Sequence, residues 1–319
     1  MSDYRFFDRL RSDAAAERRA IVTGLLADAP AIAPKHFYDS VGCALFEAIC
    51  ELPEYYPTRS ERAIFAEHRA EIADAIGMGR QFVDLGAGDC RKAEAWLPHL
   101  APTRYIAVDI AGDTLARALA RMAAEFPDLE LTGIVADFTR GLELRADLGA
   151  APTTFFYPGS SIGNFVPDDA RRFLSEIHLH CMAAKGSGLL IGVDTKKDRQ
   201  RLSAAYDDAL GVTAAFNRNV LRHVNSIIGS DFDPAAFAHV AFYNERHGRV
   251  EMHLSADTSM RVRIDGVSRT FSAGDLIHTE YSYKYAPAEF TILLQDAGFA
   301  SIRCWQDRAG DFAVYWATF

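Results

Sequence analysis

The chain has 319 residues, of which 49% are hydrophobic and 24% charged, enough apolar sequence to bury a core larger than that of one average domain. Its formal net charge of −9 argues against nucleic acid or an anionic membrane surface as the main partner. The 5 cysteines are scattered and never form CxxC, which predicts free thiols in a reducing compartment rather than a zinc site or a disulfide framework.

Targeting signals are not predicted. The opening residues carry mixed charge and no apolar core follows them, unlike a secretory signal. No apolar run is long enough to span a bilayer. We therefore expect a cytoplasmic protein with no membrane partner.

The first quarter of the chain predicts helices around an aromatic segment. Residues 1–28 are charged and Ala-rich and predict a helix. Residues 29–57 combine prolines with aromatic residues, which is typical of a structured loop-and-helix cap. Thr58 and Glu61 form a capping-box pattern, which predicts a helix that Gly77 stops.

The middle of the chain alternates short apolar runs with helical segments. Strands are predicted at residues 81–85, 105–109, 131–135, 153–157 and 189–193, and helices at 92–100, 115–126 and 168–184. This alternation is typical of βαβ units in a parallel sheet covered on both faces. The fold class that it predicts is α/β, with a doubly wound Rossmann-like sheet.

The pattern changes after residue 194. A helix is predicted at 199–225, antiparallel strands at 238–243, 249–255, 260–264 and 278–285, a helix at 287–298, and a last strand pair at 300–305 and 312–319. We expect a main domain of residues 58–195 and 286–319, into which a smaller α+β domain of residues 1–57 and 196–285 is inserted.

Three features in sequence order indicate a nucleoside site. Gly86 and Gly88 follow the first predicted strand, where glycines permit a tight turn and close approach to a ligand. Asp109 ends the next strand, about twenty residues on, where this fold grips ribose hydroxyls. Asp137 and Phe138 follow the third strand and suit an adenine amino group and ring face. Each alone has an ordinary alternative: a βα turn, a helix cap, or a turn aspartate beside a core phenylalanine.

The spacing of the glycines favours one cofactor over another. Nicotinamide dinucleotides usually require a third glycine beside the pyrophosphate, and Arg91 stands at that position. S-adenosylmethionine has no pyrophosphate. The sequence therefore predicts an S-adenosylmethionine-dependent methyltransferase, with a nicotinamide-dependent oxidoreductase as an open alternative.

A second glycine-rich segment follows the fourth predicted strand. Gly159 and Gly163 allow close approach at the carboxyl edge of the sheet, where open α/β folds bind their ligands. Asn164 adds two donors and one acceptor. The alternative is an ordinary turn asparagine.

Six motifs give the chain a resemblance to a known family. They are KHFYD at 35–39, LPEYYPTR at 52–59, GSSIGN at 159–164, AYDD at 205–208, FNRN at 216–219 and EM at 251–252. From about residue 34 onwards the chain resembles the histidine Nα-methyltransferases of ergothioneine biosynthesis. Departures are modest and lie mainly in the first glycine turn, where Ala87, Cys90 and Arg91 stand.

The resemblance implies a set of site residues. It implies cofactor contacts at Gly86, Lys92, Asp109, Asp137 and Phe138, beside Gly88 of the same turn. It implies substrate contacts at Tyr56, Asn164, Tyr206, Met252, Glu280 and Ser282. Asn164 and Tyr206 would hold the substrate carboxylate, Glu280 and Ser282 the imidazole, and Met252 would be a wall beside it. Tyr38 would lie near the ring, and the Gly159 carbonyl would accept a hydrogen bond from the α-amine.

One of these implications follows from geometry as well. Residues two apart in a strand share a face, so Glu280 and Ser282 should point one way and Tyr281 and Tyr283 the other. A carboxylate beside a hydroxyl suits the two nitrogens of an imidazole. Residues alone leave open the alternative of a solvent-facing polar strand edge.

The predicted activity is therefore methylation of the α-amine of L-histidine by S-adenosylmethionine. The resemblance implies three successive transfers, which give trimethylhistidine (hercynine), the first step of ergothioneine biosynthesis. No dedicated base stands out, and no histidine spacing indicates a metal. We expect a monomer with L-histidine as its partner. The open alternatives are an α-amine methyltransferase for another amino acid such as tryptophan, and a non-catalytic cofactor-binding protein.

Overall fold

The computed structural model describes residues 4–10 and 14–319. The strands are β1 (Arg5–Asp8), β2 (Gln81–Leu85), β3 (Arg104–Asp109), β4 (Glu130–Val135), β5 (Thr153–Tyr157), β6 (Gly188–Asp194), β7 (Phe237–Asn244), β8 (Arg249–Ala256), β9 (Met260–Ile264), β10 (Val267–Phe271), β11 (Leu276–Tyr283), β12 (Ser301–Gln306) and β13 (Phe312–Thr318). The α-helices are α1 (Ala14–Leu26), α2 (Ser40–Cys50), α3 (Tyr56–Glu67), α4 (Arg69–Ile76), α5 (Arg91–Glu94), α6 (Leu97–Leu100), α7 (Gly112–Glu125), α8 (Pro167–Cys181), α9 (Arg199–Ala204), α10 (Val212–Ile228) and α11 (Pro287–Asp296).

The chain divides into two compact units. The large unit contains residues 4–10, Pro57–Lys196 and Lys284–Phe319. The small unit contains residues 14–56 and Lys197–Tyr283. Each unit is therefore built from segments that are distant in the chain.

The large unit is an eight-stranded sheet in the order β1-β4-β3-β2-β5-β6-β13-β12. Its strands are parallel except for β13, which pairs antiparallel with both β6 and β12. The strand order reverses between β2 and β5, because β3 and β4 lie on one side of β2 and β6 lies beyond β5. Ligands bind at such a reversal, in the crevice at the carboxyl ends of the strands.

Helices cover both faces of this sheet. Two consecutive residues of β5 show it: the Phe155 ring lies 5.9 Å from His180 of α8, while the Phe156 ring lies 6.0 Å from Phe65 of α3. Neighbouring residues of a strand point to opposite faces, so both faces are packed. All five residues of β5 are buried, as a parallel strand between two helical layers requires. The predicted doubly wound α/β fold is confirmed.

The small unit packs helices against antiparallel strands. β8 is the centre of a three-stranded sheet in the order β11-β8-β7, and β9 and β10 form a separate hairpin. The long helix α10 lies against α2, α1 and β7. Its buried residues Phe216, Val220 and Val224 recur at helical spacing and join one apolar cluster with β8. A register shift interrupts the pairing of β11 between His278 and Glu280.

The beginning of the chain differs from the sequence-based prediction. Residues Arg5–Asp8 form a strand rather than part of a helix, because they pair in parallel with β4 along its outer edge. Pairing with an existing sheet outweighs the local preference for helix. Residues 4–10 therefore fall in the large unit, although the expected boundary placed residues 1–57 in the smaller domain.

Three predicted helices are each broken in two. The helix expected from Thr58 to Gly77 is divided at His68 into α3 and α4. The helix expected at 92–100 ends and restarts as α6, where Pro98 occupies a first-turn position that needs no N–H donor. The helix expected at 199–225 ends as α9 at Ala204 and restarts as α10 after Gly211, which is left-handed at φ +73°. The Asp208 carboxylate accepts hydrogen bonds from the N–H groups of Val212 and Thr213 and so starts α10.

Other elements were mispredicted or missed. The capping box at Thr58 and Glu61 is wrong, since α3 already begins at Tyr56. Helix α2 was missed inside the Pro-rich segment, where Asp39 caps it by accepting the Gly42 N–H at 2.7 Å. Strand β10 was missed as well.

Candidate active site

The loop after β2 forms the first part of the candidate site. Gly86 and Gly88 have φ values of +71° and +54°, a region that favours glycine. A Cβ added at Gly88 would meet no heavy atom within 4 Å, so the backbone borders open space there. This turn lies where the strand order reverses, as the glycine pattern predicts.

Asp109 fixes this turn from the end of β3. Its Oδ2 accepts the Gly88 N–H at 2.8 Å, and its Oδ1 accepts the Ala111 N–H at 2.7 Å. Burial raises the pKa of Asp109, and the hydrogen bonds from Ala111 and Gly88 oppose that shift. The carboxylate retains acceptor capacity for a ribose hydroxyl. The residue is thus both an anchor for the turn and a fitting ribose ligand.

Phe138 lies beside the same turn, in the short 3-10 helix Phe138–Arg140. A Cβ added at Gly86 would be 3.9 Å from the tip of the Phe138 ring. Phe173 stacks on this ring at 5.7 Å between centroids, and Tyr157 meets it edge-on at 5.9 Å. Asp137 accepts the Thr139 N–H at 3.2 Å. The structure therefore brings an aromatic ring and an acceptor next to the glycine turn, which fits an adenosine group.

Lys92 lies in α5, the helix that follows the turn. Its Nζ is 2.7 Å from Oε2 of Glu61 in α3. Oε1 of the same carboxylate accepts the Gly159 N–H at 2.7 Å. Glu61 was assigned to a helix cap from the sequence, so its contact with two predicted site residues was missed.

The loop after β5 carries Gly159 and Asn164. Gly159 and Ser160 are both left-handed, with φ values of +79° and +61°. The Ser160 hydroxyl accepts the Asp194 N–H at 2.8 Å, which ties the loop to the end of β6. A 3-10 turn over Ser161–Asn164 then leaves Asn164 half-buried. The loop is held in an uncommon backbone shape at the carboxyl edge of the sheet.

In the small unit, three predicted substrate residues share one face of the sheet. Glu280 lies opposite Met252 across the β11–β8 pair, and Ser282 lies opposite Val250. Directly paired residues of neighbouring strands point to the same face. All of them are buried, and the Ser282 hydroxyl lies 2.8 Å from the hydroxyl of Tyr206.

On the opposite face of β11, two tyrosine rings pack against an arginine. The Arg249 guanidinium lies 3.4 Å from the centroid of the Tyr281 ring and 5.3 Å from that of Tyr283. The expected division of β11 into two faces is therefore confirmed. Glu280 is only 9% exposed and Ser282 4%, so the alternative of a solvent-facing polar edge is wrong.

Aromatic side chains surround the Glu280 face within the small unit. Burial raises the pKa of Tyr55 well above its ordinary value, and the nearby side chains of Tyr206, Cys50 and Glu280 raise it further. The ring of Tyr206 meets that of Tyr55 edge-on at 6.3 Å. Tyr55 was not predicted as a site residue, and its place in the aromatic segment at 52–59 was the only signal.

Tyr38 and Tyr56 complete the predicted residues of this unit. The Tyr38 ring lies 5.9 Å from Phe46 and 6.1 Å from Phe216. The Tyr56 hydroxyl accepts a hydrogen bond from Lys197 Nζ at 2.7 Å, and the same ammonium lies 4.3 Å from the Tyr56 ring centroid. A cation held this close favours anionic groups near Tyr56.

Neither a membrane-spanning helix nor a metal-binding cluster occurs in residues 4–10 and 14–319. No helix in these ranges has both the length and the apolar content to cross a membrane. In the same ranges, no group of three or more His, Cys, Asp or Glu side chains is arranged to hold a metal ion.

Comparison with known proteins identifies the family. A family described as "Histidine-specific methyltransferase, SAM-dependent" matches residues 17–319. The histidine N-alpha-methyltransferase of Mycolicibacterium smegmatis is 41% identical over 96% of both chains. That of Mycobacterium tuberculosis is 38% identical over 94% of both chains. An L-tryptophan methyltransferase of Psilocybe serbica is 26% identical over 93% of this chain and 91% of its own.

These matches settle the cofactor class. A family that uses S-adenosylmethionine excludes the nicotinamide alternative, in agreement with Arg91 at the position of the third glycine. The glycine turn, Asp109 and Phe138 lie next to one another at the carboxyl edge of the sheet. The chain belongs to the family of histidine-specific, S-adenosylmethionine-dependent methyltransferases.

Proposed function

We propose that this protein methylates the α-amine of L-histidine in three successive transfers and gives trimethylhistidine, the first step of ergothioneine biosynthesis. The observation that supports histidine as the substrate is the buried pair of Glu280 and Ser282 on one face of β11. A carboxylate and a hydroxyl placed side by side match the two ring nitrogens of histidine. An indole has a single N–H donor and no acceptor, so it would leave one of the two groups without a partner.

The large unit is proposed to bind S-adenosylmethionine, which supplies a methyl group already activated by a sulfonium leaving group. In this proposal Asp109 accepts the ribose hydroxyls, and Asp137 and Phe138 contact the adenine. Gly86 and Gly88 keep the backbone free of side chains, and Lys92 lies beside the turn.

The small unit is proposed to fix the histidine side chain. Glu280 accepts the N–H of one ring nitrogen, and Ser282 bonds to the other. Tyr206 orients the Ser282 hydroxyl, and Met252 is a wall beside the ring. Tyr38 and Tyr56 are proposed as further contacts.

The main task of the protein is to position the amine, since the leaving group needs no protonation. Bringing nitrogen and methyl carbon to about 3–3.5 Å supplies several kcal/mol of the barrier. Asn164 and Tyr206 are proposed ligands of the substrate carboxylate, and the Gly159 carbonyl is the proposed acceptor for the amine. The amine must be neutral, and water or a nearby tyrosine suffices to take its proton. A substrate clamped by its ring and carboxylate leaves the nitrogen free to turn between transfers.

The first experiment incubates purified protein with S-adenosylmethionine and an equimolar mixture of the twenty amino acids, and reads the products by mass. Histidine carrying one, two or three added methyl groups supports the proposal and gives the number of transfers. Methylated tryptophan, or another methylated amino acid, contradicts the assigned roles of Glu280 and Ser282. Absence of any methylated product, with the cofactor still bound, favours a non-catalytic protein.

A further inference from the structure

Glu61 is a buried carboxylate that joins helix α5 to the loop after β5 in the large unit. Its side chain is 2% exposed, and each of its oxygens has one partner. Oε2 lies 2.7 Å from Lys92 Nζ in α5, and Oε1 accepts the N–H of Gly159 at 2.7 Å. A buried charge is stable only when it is paired and hydrogen-bonded in this way.

The surrounding backbone is shaped to admit this carboxylate. A Cβ at Gly192 in β6 would lie 2.1 Å from Oε1 of Glu61, so any side chain at that position would displace it. A Cβ at Gly159 would lie 3.1 Å from Lys92 Nζ. Two glycines thus keep open the space in which Glu61 and Lys92 meet the loop after β5.

That loop needs external anchors. Gly159 and Ser160 are consecutive left-handed residues, and the left-handed region is unfavourable for a serine. The Glu61 carboxylate holds the first of them through its N–H. The Asp194 N–H holds the second through its hydroxyl.

We infer that Glu61 is a positioning residue that fixes the cofactor contact Lys92 and the amine acceptor Gly159 together, and that it cancels the charge of Lys92 beside the cofactor. The inference rests on the proposed roles of Lys92 and Gly159. Glu61 touches neither the cofactor nor the substrate in this scheme and acts through these two residues.

The charge of Glu61 should affect binding of S-adenosylmethionine and of S-adenosylhomocysteine differently. S-adenosylmethionine carries a sulfonium cation that S-adenosylhomocysteine lacks, while the two share all their other groups except the methyl. Without the Glu61 charge, Lys92 leaves an uncompensated positive charge that repels the sulfonium. Removing the Glu61 charge should therefore weaken binding of S-adenosylmethionine more than binding of S-adenosylhomocysteine.

The test is calorimetric titration of both compounds into Glu61→Gln, whose amide oxygen can still accept the Gly159 N–H. We expect the ratio of the Kd of S-adenosylmethionine to that of S-adenosylhomocysteine to rise at least threefold over the unmodified protein. Glu67→Gln is the matched control, because Glu67 lies on the same helix with a 45% exposed side chain paired to Arg308. It should leave the ratio unchanged. A folded Glu61→Gln variant with an unchanged ratio overturns the inference.

The Lys92→Met variant tests the proposed cofactor contact of Lys92 separately from the role inferred for Glu61. It leaves Glu61 negative, so the same ratio should fall, and Glu61→Gln/Lys92→Met, which removes both charges, should return it towards the original value. If Lys92→Met changes neither the ratio nor either Kd, the proposed role of Lys92 fails and the inference fails with it. If Lys92→Met weakens cofactor binding but Glu61→Gln leaves the ratio unchanged, only the inference is overturned. If Glu61→Gln does not fold, the inference is tested with Lys92→Met and the double variant only. In that case an unchanged ratio of the two Kd values in Lys92→Met overturns the inference.

Discussion

The hydroxyl oxygens of Tyr206 and Ser282 lie 2.8 Å apart, and both side chains are buried. Tyr206 follows helix α9, whereas Ser282 lies in β11, 76 positions later in the chain. A buried hydroxyl with a fixed partner has few orientations left. The contact therefore restricts the orientations in which the Ser282 hydroxyl can meet a substrate.

Tyr206→Phe should raise the KM for histidine about five- to tenfold, because it removes one buried hydrogen bond of about 1 kcal/mol and frees the Ser282 hydroxyl to rotate. Steady-state methylation kinetics with varied histidine measure this. Tyr281→Phe is the control, since Tyr281 lies on the opposite face and keeps its ring against Arg249. An equal rise in both variants would mean that the face of β11 does not matter for the substrate.

Glu280→Gln should raise the KM for histidine about tenfold or more, because a charge-assisted hydrogen bond of about 1.5–3 kcal/mol is lost. The affinity for S-adenosylmethionine should stay within twofold, as Glu280 belongs to the small unit. Isothermal titration with each compound separates the two effects. Unchanged histidine binding in a folded variant would contradict the proposed contact with the imidazole.

Asp109→Asn should raise the Kd of S-adenosylmethionine at least tenfold. The carboxylate accepts the N–H groups of Gly88 and Ala111, and an amide would turn its NH2 group towards one of these two donors. The glycine turn and the ribose contact are then lost together. Asp113→Asn, an exposed position in the first turn of α7, should leave the Kd unchanged in the same titration.

Asp84 should make stability depend on pH. Burial raises its pKa to about 7, although the Tyr105 hydroxyl donates to it at 2.7 Å and opposes the shift. An acid with a raised pKa in the folded state favours folding most when protonated. The free energy of unfolding contributed by Asp84 should therefore fall as the pH rises from about 4 to 7 and level off above 7.

The measurement is urea unfolding of the unmodified protein and Asp84→Asn between pH 5 and 8. The stability of Asp84→Asn relative to the unmodified protein should increase by about 1 kcal/mol per pH unit below pH 7 and stay constant above it. Asp74→Asn, at an exposed position of α4, should show no such trend. A pH-independent difference for Asp84→Asn would mean that Asp84 is already ionised at pH 5.

The sheet and its glycine turn could be predicted because their signals are local. A parallel strand buried on both faces reads as an apolar run, as residues 105–108 of β3 do. The shared face of Glu280 and Ser282 follows in the same way from the two-residue period of a strand.

Long-range contacts left no local signal. Glu61 and Gly159 are 98 residues apart, and a glutamate near a threonine resembles a helix cap more than a loop anchor. Strand β1 was missed for the same reason. Its residues are extended because they pair with the edge of β4, which lies far along the chain. Tyr55 was missed because only its neighbours in the fold distinguish it from the aromatic residues beside it.

The position of β13 has a consequence for how the protein is made. This strand, formed by residues 312–318, lies between β6 and β12 and pairs with β6 along seven residues. During synthesis from the N-terminus, β6 is complete at residue 194, but its outer edge has no partner until residue 312 has been made. The nascent chain therefore carries an apolar strand edge of the kind that recruits other chains, and it keeps this edge while the whole small unit is added. Slow translation of residues 195–311 should thus favour aggregation more than slow translation of the first five parallel strands of the sheet.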